Sequence, residues 1–106
     1  MANLGLVVRF TLREGAGEAF DALVRETAAG IRAHEPGTLV YVCHEVEGAP
    51  NQRIFFELYA DRDALEEHQR QPHTRHFLTE NTKYVEKVEK DHVQPYAGKY
   101  PTGAEA

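Results

Sequence analysis

The sequence has little cysteine and no long apolar run. Its 106 residues include a single cysteine, Cys43, so no disulfide can form within the chain, which fits a reducing compartment. No basic region precedes an apolar stretch at the N-terminus, and no apolar run approaches the ~20 residues that span a bilayer. The sequence therefore predicts a cytoplasmic protein that has neither a secretory signal nor a membrane segment.

Positive charge and cofactor motifs are also scarce. The chain has 12 Lys and Arg against 17 Asp and Glu, with no basic cluster, and this balance argues against a nucleic-acid partner because phosphate neutralisation supplies much of that affinity. There is no Gly-x-Gly-x-x-Gly motif, no phosphate-binding loop and no Cys pair, so nothing supports a nucleotide, a Rossmann-bound flavin or an iron–sulfur cluster. We expect a protein that uses no cofactor and acts through its side chains alone.

Hydrophobic periodicity predicts one α+β domain over residues 1–96, followed by a tail over residues 97–106. The predicted elements are a strand at 6–12, a helix at 17–34, strands at 38–46 and 53–59 joined by a turn at 47–52, a helix starting at 61 that restarts at Pro72 and runs to about 84, and a strand at 88–96. The order βαββαβ is that of the ferredoxin-like fold, a four-stranded antiparallel sheet with both helices on one face.

The predicted third strand carries large apolar side chains on both of its faces. Phe55 and Tyr59 share one face, and Phe56 and Leu58 share the other. The helices can cover only one face, and leaving the second exposed would be unfavourable. A chain this short also gains from additional burial. We therefore predict a homodimer in which two sheets pack face to face about a twofold axis.

Histidine is the most unusual component, because three of the six histidines fall in the second helical region. His68 shares the inner helix face with Ala64 and Leu65, so its imidazole should be buried, where a neutral ring can accept a proton. A buried histidine bonded to a backbone carbonyl is the simpler structural explanation. His73 and His76 lie among polar residues and are expected to face solvent or cap a helix. Their spacing from His68 does not match a helical zinc site, so we predict no metal.

Two further polar residues lie in predicted strands. Glu57 is a carboxylate in an otherwise apolar strand, and burying it unpaired would be costly. The structural explanation is an ion pair with Arg9 of the same sheet or of the dimer mate. His44 shares a strand face with Val40 and Val42 and could line a ligand cavity.

Several motifs together resemble a known family. The first strand ends at Arg13-Glu14-Gly15, and Glu35-Pro36-Gly37-Thr38 opens the second; Phe56-Glu57-Leu58-Tyr59-Ala60-Asp61 runs into Ala64-Leu65-x-x-His68 and then Gln71-Pro72-His73. Over about residues 5–96, this pattern resembles the antibiotic biosynthesis monooxygenase family of dimeric α/β barrels, especially its quinol monooxygenase-like members.

The resemblance implies a ferredoxin-like homodimer that oxygenates a small, electron-rich aromatic substrate such as a quinol with O2, without metal, flavin or nicotinamide. A deprotonated phenol can itself give an electron to O2, so the protein need only supply a base, an apolar cage and orientation. The resemblance makes His68 that base. It also implies that Tyr59 shapes the cavity or the dimer contact and that the apolar walls are Phe10, Phe56 and Phe77.

Other functions within the resemblance stay open. The heme-degrading branch uses an Asn, a Trp and an axial His at places held here by Val8, His68 and Leu78, and the absence of tryptophan disfavours heme cleavage. A second branch isomerises or degrades small phosphorylated diones, and His68 and Glu57 could move protons on such a dicarbonyl without O2. A third alternative is a dimer that binds a small ligand without turnover.

Overall fold

Four antiparallel strands and three α-helices make up the computed structural model, which describes residues 3–101. In chain order the elements are β1 (Leu4–Leu12), α1 (Gly17–His34), β2 (Thr38–Val46), β3 (Ala49–Tyr59), α2 (Arg62–Arg70), α3 (Pro72–Glu80), a 3-10 turn (Asn81–Lys83) and β4 (Val85–Val93). The strand order in the sheet is β2-β3-β1-β4. The predicted α+β, ferredoxin-like arrangement is confirmed.

Three of the predicted strands have wrong limits, and the first of them, β1, begins at Leu4 instead of residue 6. The hairpin turn was expected over residues 47–52, but β3 already begins at Ala49, and Gly48, with φ of 78°, reverses the chain in place of a longer loop. The last strand occupies Val85–Val93 instead of 88–96. Its limits follow from pairing with β1, from Gly5 opposite Val93 to Leu12 opposite Val85, and side-chain periodicity does not reveal that register.

The core lies between the sheet and the helices and contains four phenylalanines in mutual contact. Phe10 of β1 and Phe55 of β3 have ring centroids 4.6 Å apart, and Phe20 of α1 and Phe77 of α3 complete the cluster. All four are buried, and each contributes about 1.5–3 kcal/mol through burial alone.

The second helical region is broken, as Pro72 predicted. Asp61 caps α2 by accepting a 2.9 Å hydrogen bond from the backbone N–H of Ala64, and α3 begins afresh with Pro72 in its first turn. Gln71 lies between the two helices in an extended conformation, with φ of −65° and ψ of 141°. His68 therefore sits in the last turn of α2 and His73 in the first turn of α3.

The sheet face opposite the helices carries an apolar row across three strands. Val42, Phe56 and Val7 are aligned by the strand register, and the side chain of Val42 is 46% exposed. Residues 97–101 form no helix or strand, and the rest of the predicted tail, 102–106, lies outside the described residues. Among the described helices, none has the length and apolarity to cross a membrane.

Candidate active site

A cavity of about 340 Å³ opens between the sheet and the second helical region. Its volume falls in the range of small-molecule sites, and most of its wall is apolar. Among the residues that line it are Phe10, Phe77, Glu57, His68 and Lys90. The strands supply the floor, and α2 and α3 supply the roof.

His68 brings an imidazole to this cavity from the last turn of α2. The residue is 8% exposed, and its ring packs 5.3 Å from that of Tyr59 and 6.0 Å from that of Tyr41. Its Nδ1 lies 2.8 Å from Oε1 of Glu35. Its partner is therefore a carboxylate, and the backbone carbonyl considered from the sequence does not take that role.

Glu35 is the functional residue that sequence reasoning missed. It follows α1 directly, and its side chain is only 2% exposed. One carboxylate oxygen accepts from Thr38 Oγ1 at 2.7 Å as well as from His68, and the other lies 2.5 Å from His73 Nε2. Burial raises the pKa of Glu35, but the hydrogen bonds from His68, Thr38 and His73 outweigh that effect and hold the pKa at about 2. Glu35 is therefore an ionised carboxylate near neutral pH.

Two signals in the sequence could have drawn attention to Glu35. An acidic residue at a helix C-terminus is disfavoured by the helix dipole, so its presence there calls for a local partner. The following Pro36 also excludes the helical conformation, and Glu35 accordingly has φ of −125° and ψ of 76°. In the sequence, Glu35 is distinguished only as part of the Glu35-Pro36-Gly37-Thr38 motif.

His73 does not face solvent, contrary to the prediction. Its side chain is 13% exposed and is held against Glu35 on one side and α1 on the other. A Cβ at Gly30 of α1 would stand 2.5 Å from Cγ of His73, so the glycine provides the space that the ring occupies. His76, in contrast, is exposed as expected and lies 3.5 Å from a carboxylate oxygen of Glu26.

Glu57 has a different partner from the one predicted. The hydroxyl of Tyr59 donates a 2.5 Å hydrogen bond to Oε1 of Glu57, and both residues are buried. Arg9 instead donates to Gln52 at 3.0 Å, because strand alternation places Arg9 on the outer sheet face and Glu57 on the inner one. Burial raises the pKa of Glu57, opposed by the Tyr59 hydrogen bond and by His68 and Lys90. Burial and the neighbouring Glu57 also raise the pKa of Tyr59.

The remaining predicted site residues divide by sheet face. Phe10 and Phe77 line the cavity. Phe56 and His44 do not, because both alternate away from the helices; His44 is exposed, with Nδ1 2.9 Å from the carbonyl oxygen of Ile54. Tyr59 shapes the site indirectly, through its hydrogen bond to Glu57.

The site thus combines a buried imidazole, an ionised carboxylate behind it and a carboxyl group of raised pKa on the facing strand. Two carboxyl groups whose surroundings move their pKa values in opposite directions are suited to different proton-transfer roles. Lys90 is the one lysine or arginine among the lining residues. Within residues 3–101, no group of three or more His, Cys, Asp or Glu side chains is arranged to hold a metal ion.

Comparison with known proteins agrees with this architecture. PA3566 from Pseudomonas aeruginosa is 28% identical, with a TM-score of 0.83 over 92% of this chain and 97% of that one. Rv0793 from Mycobacterium tuberculosis is 24% identical, with a TM-score of 0.83 over 92% of this chain and 98% of the other. A variant of SnoaB, a cofactor-independent oxygenase from Streptomyces nogalater, shares the fold at 20% identity, with a TM-score of 0.79 over 92% and 97% of the two chains.

The sequence itself matches a family model. No curated protein matches the chain, but the model described as antibiotic biosynthesis monooxygenase matches residues 4–80, from the first strand through the last turn of α3. That match includes His68, Glu35 and Glu57 and covers well over half of the sequence. The chain belongs to the antibiotic biosynthesis monooxygenase family.

Proposed function

We propose that the protein is a cofactor-independent monooxygenase that oxidises a quinol or a related electron-rich polyphenol with O2. The observation that carries the proposal is the buried imidazole of His68 on the wall of an apolar cavity sized for a small aromatic molecule. No residue in the described range 3–101 forms a hydrogen bond with Nε2 of His68. This nitrogen is therefore available to a substrate hydroxyl.

The reaction begins when His68 Nε2 takes the proton of a phenolic hydroxyl. The resulting phenolate gives electron density to O2, and a ring carbon forms a C–O bond to one oxygen atom. The O–O bond then breaks as that carbon loses its hydrogen. For a hydroquinone the products are a hydroxyquinone and water: the substrate loses four electrons, O2 gains four, and each product receives one oxygen atom.

Two other lining groups have roles in this proposal. Glu57, whose pKa is raised mainly by burial, can give a proton to the departing oxygen atom so that it leaves as water. Lys90 makes no ion pair with a carboxylate among residues 3–101, and its ammonium group favours the phenolate over the neutral phenol. The phenylalanine walls orient the ring by contact.

The first test is oxygen uptake with a panel of hydroquinones, without added metal or flavin. We expect His68→Ala to reduce the rate about a hundredfold or more, because a positioned base contributes about 10²–10⁴-fold. His76→Ala is the matched control, since His76 is exposed and outside the cavity, and it should keep the wild-type rate. Circular dichroism would establish that both variants fold.

Failure of the proposal has a clear form. If a folded His68→Ala variant takes up oxygen at the wild-type rate, His68 is not the base. No uptake by the wild-type protein with any electron-rich phenol would overturn the monooxygenase assignment.

An isomerase acting on a small dicarbonyl is the second candidate. The observation that favours it is the juxtaposition of a base, His68, and an acid of raised pKa, Glu57, on one cavity. Such a pair can move a proton between two carbons without an oxidant. Turnover of a dicarbonyl at an unchanged rate in anaerobic buffer would favour this function over the first; an aromatic ligand bound without product in either condition would indicate a binding protein.

We also propose that the functional unit is a homodimer joined through the outer sheet face. Val7, Val42 and Phe56 form an apolar row there that the helices cannot cover. The same face of a second copy is complementary to it by symmetry, and face-to-face sheet packing would bury the row.

A further inference from the structure

We infer that Glu35 is the positioning residue of His68, fixing its hydrogen on Nδ1 so that Nε2 is left unprotonated toward the cavity, and that His73 holds Glu35 in place. The catalytic use of this arrangement rests on the proposed function. The arrangement itself stands on the contacts of the three side chains.

The hydrogen bonds to Glu35 determine which nitrogen of His68 carries the hydrogen. An ionised carboxylate has acceptors only, so every group bonded to Glu35 must donate. Three groups converge on it: His68 Nδ1 at 2.8 Å, Thr38 Oγ1 at 2.7 Å and His73 Nε2 at 2.5 Å. A neutral imidazole carries a single hydrogen, so the bond to Glu35 places the hydrogen of His68 on Nδ1. The lone pair of Nε2 is then free to accept a proton.

The carboxylate of Glu35 is held at both of its oxygens. Oε1 is held by His68 and Thr38, and Oε2 is held by His73, so the carboxylate cannot rotate without losing a donor. His73 is itself fixed by close packing against Gly30 of α1. A buried hydrogen-bond network in which every member is satisfied constrains orientation more than a single contact does.

The charge of Glu35 supports proton transfer to His68. When Nε2 takes the substrate proton, the ring becomes cationic, and the carboxylate that accepts from Nδ1 at 2.8 Å stabilises that cation. The other titratable groups facing His68 from the surrounding elements are Tyr41 from β2, Glu57 and Tyr59 from β3, and His73 from α3. Of these, Glu57 has its pKa raised mainly by burial, whereas Glu35 is ionised and in direct contact with the ring.

The test is long-range ¹H–¹⁵N correlation NMR of the histidine side chains in the full-length protein without substrate. We expect His68 to carry its hydrogen on Nδ1 and His73 to carry its hydrogen on Nε2. In Glu35→Ala the ring of His68 loses the acceptor that holds its hydrogen on Nδ1, so the Nε2 tautomer should become populated as well. His73→Gln retains an N–H donor for Oε2, so the Nδ1 tautomer of His68 should persist.

Kinetics supply the second readout. With the proposed substrate class, Glu35→Ala should lower kcat about tenfold or more with little change in KM, because Glu35 contacts the base and does not line the cavity. A purely structural role for Glu35 would raise KM along with the loss of kcat, because the cavity itself would be disturbed. His76→Gln, a change at an exposed histidine, should leave both constants unchanged.

The outcomes separate the two proposals. Finding the hydrogen of His68 on Nε2 in the wild-type protein, or an unchanged Nδ1 tautomer in folded Glu35→Ala, would overturn the positioning role. The expected tautomers in both proteins, together with wild-type oxygen uptake by His68→Ala, would uphold the positioning role and overturn only the proposed use of His68 as a base.

Discussion

At the residue scale, two buried glutamates have pKa values that are shifted in opposite directions. Glu35 accepts three hydrogen bonds, and its pKa falls to about 2, whereas Glu57 accepts one from a tyrosine, and burial raises its pKa. The three hydrogen bonds to Glu35 therefore outweigh the cost of burying its charge, whereas the single hydrogen bond to Glu57 does not. This difference fits the proposed roles of Glu35 as a fixed anion and of Glu57 as a proton donor.

The low pKa of Glu35 predicts a specific loss of stability in acid. Because the folded pKa of about 2 lies below the ordinary glutamate pKa of 4.5, ionised Glu35 stabilises the fold above pH 4.5, and this contribution disappears as the pH falls from 4.5 to 2. Without solvent screening, the pKa shift of Glu35 would contribute about 3 kcal/mol to the free energy of unfolding. Screening by water in the open pocket beside Glu35 reduces this contribution to roughly 2 kcal/mol. Urea unfolding of wild type and Glu35→Gln across this pH range measures it.

The control for this prediction is Glu66→Gln, which changes an exposed glutamate on α2. The free energy of unfolding of Glu66→Gln should follow the wild-type pH dependence, while that of Glu35→Gln should be flatter between pH 4.5 and 2. Equal slopes for all three proteins would contradict the assignment of Glu35 as a buried anion.

Part of the site could be read from individual residues, and part could not. His68 was expected on the inner helix face because its spacing from Ala64 and Leu65 is helical, and the structure buries it. Its bond to Glu35 joins positions 33 residues apart, which no local pattern encodes. The expected Glu57–Arg9 pair was wrong, because strand alternation places the two residues on opposite faces of the sheet. This separation becomes visible only once the β1–β3 register is known.

At the element scale, α2 depends on its N-terminal cap. Asp61→Ala removes the acceptor for the backbone N–H of Ala64 and should lower the free energy of unfolding by about 1 kcal/mol. Asp63→Ala is the matched control, because Asp63 lies in the same first turn without that bond and should cost only a few tenths of a kcal/mol. Urea denaturation at neutral pH compares the two; an equal loss would contradict the capping role.

Elements with strong periodicity were predicted at their observed limits, and those set by tertiary pairing were not. The limits of α1 and β2 match because an amphipathic repeat ending at Pro36-Gly37 and a β-branched run define them locally. The limits of β4 were misplaced by three residues because its charged sequence has no clear alternation. Only its register against β1 determines where it begins.

At the scale of the whole molecule, the outer sheet face predicts the state of assembly. Phe56→Arg places a charge in the centre of the row formed with Val7 and Val42 and should convert the expected dimer into a monomer. Glu66→Arg adds the same residue on the opposite, helical side and should leave the dimer intact. Sedimentation equilibrium at micromolar concentration gives the mass of each, and a wild-type monomer would refute the proposal.

The interruption at Gln71 and Pro72 has a geometric consequence for the pair of imidazoles. On one uninterrupted helix, residues five apart point about 140° away from each other, so His68 and His73 could not reach a common target. Because the chain changes direction between them, rings from two separate axes meet at opposite oxygens of a single carboxylate. The proline that limits helix length thus also sets the angle at which two distant turns converge, and joining α2 and α3 into one rod would pull the rings apart.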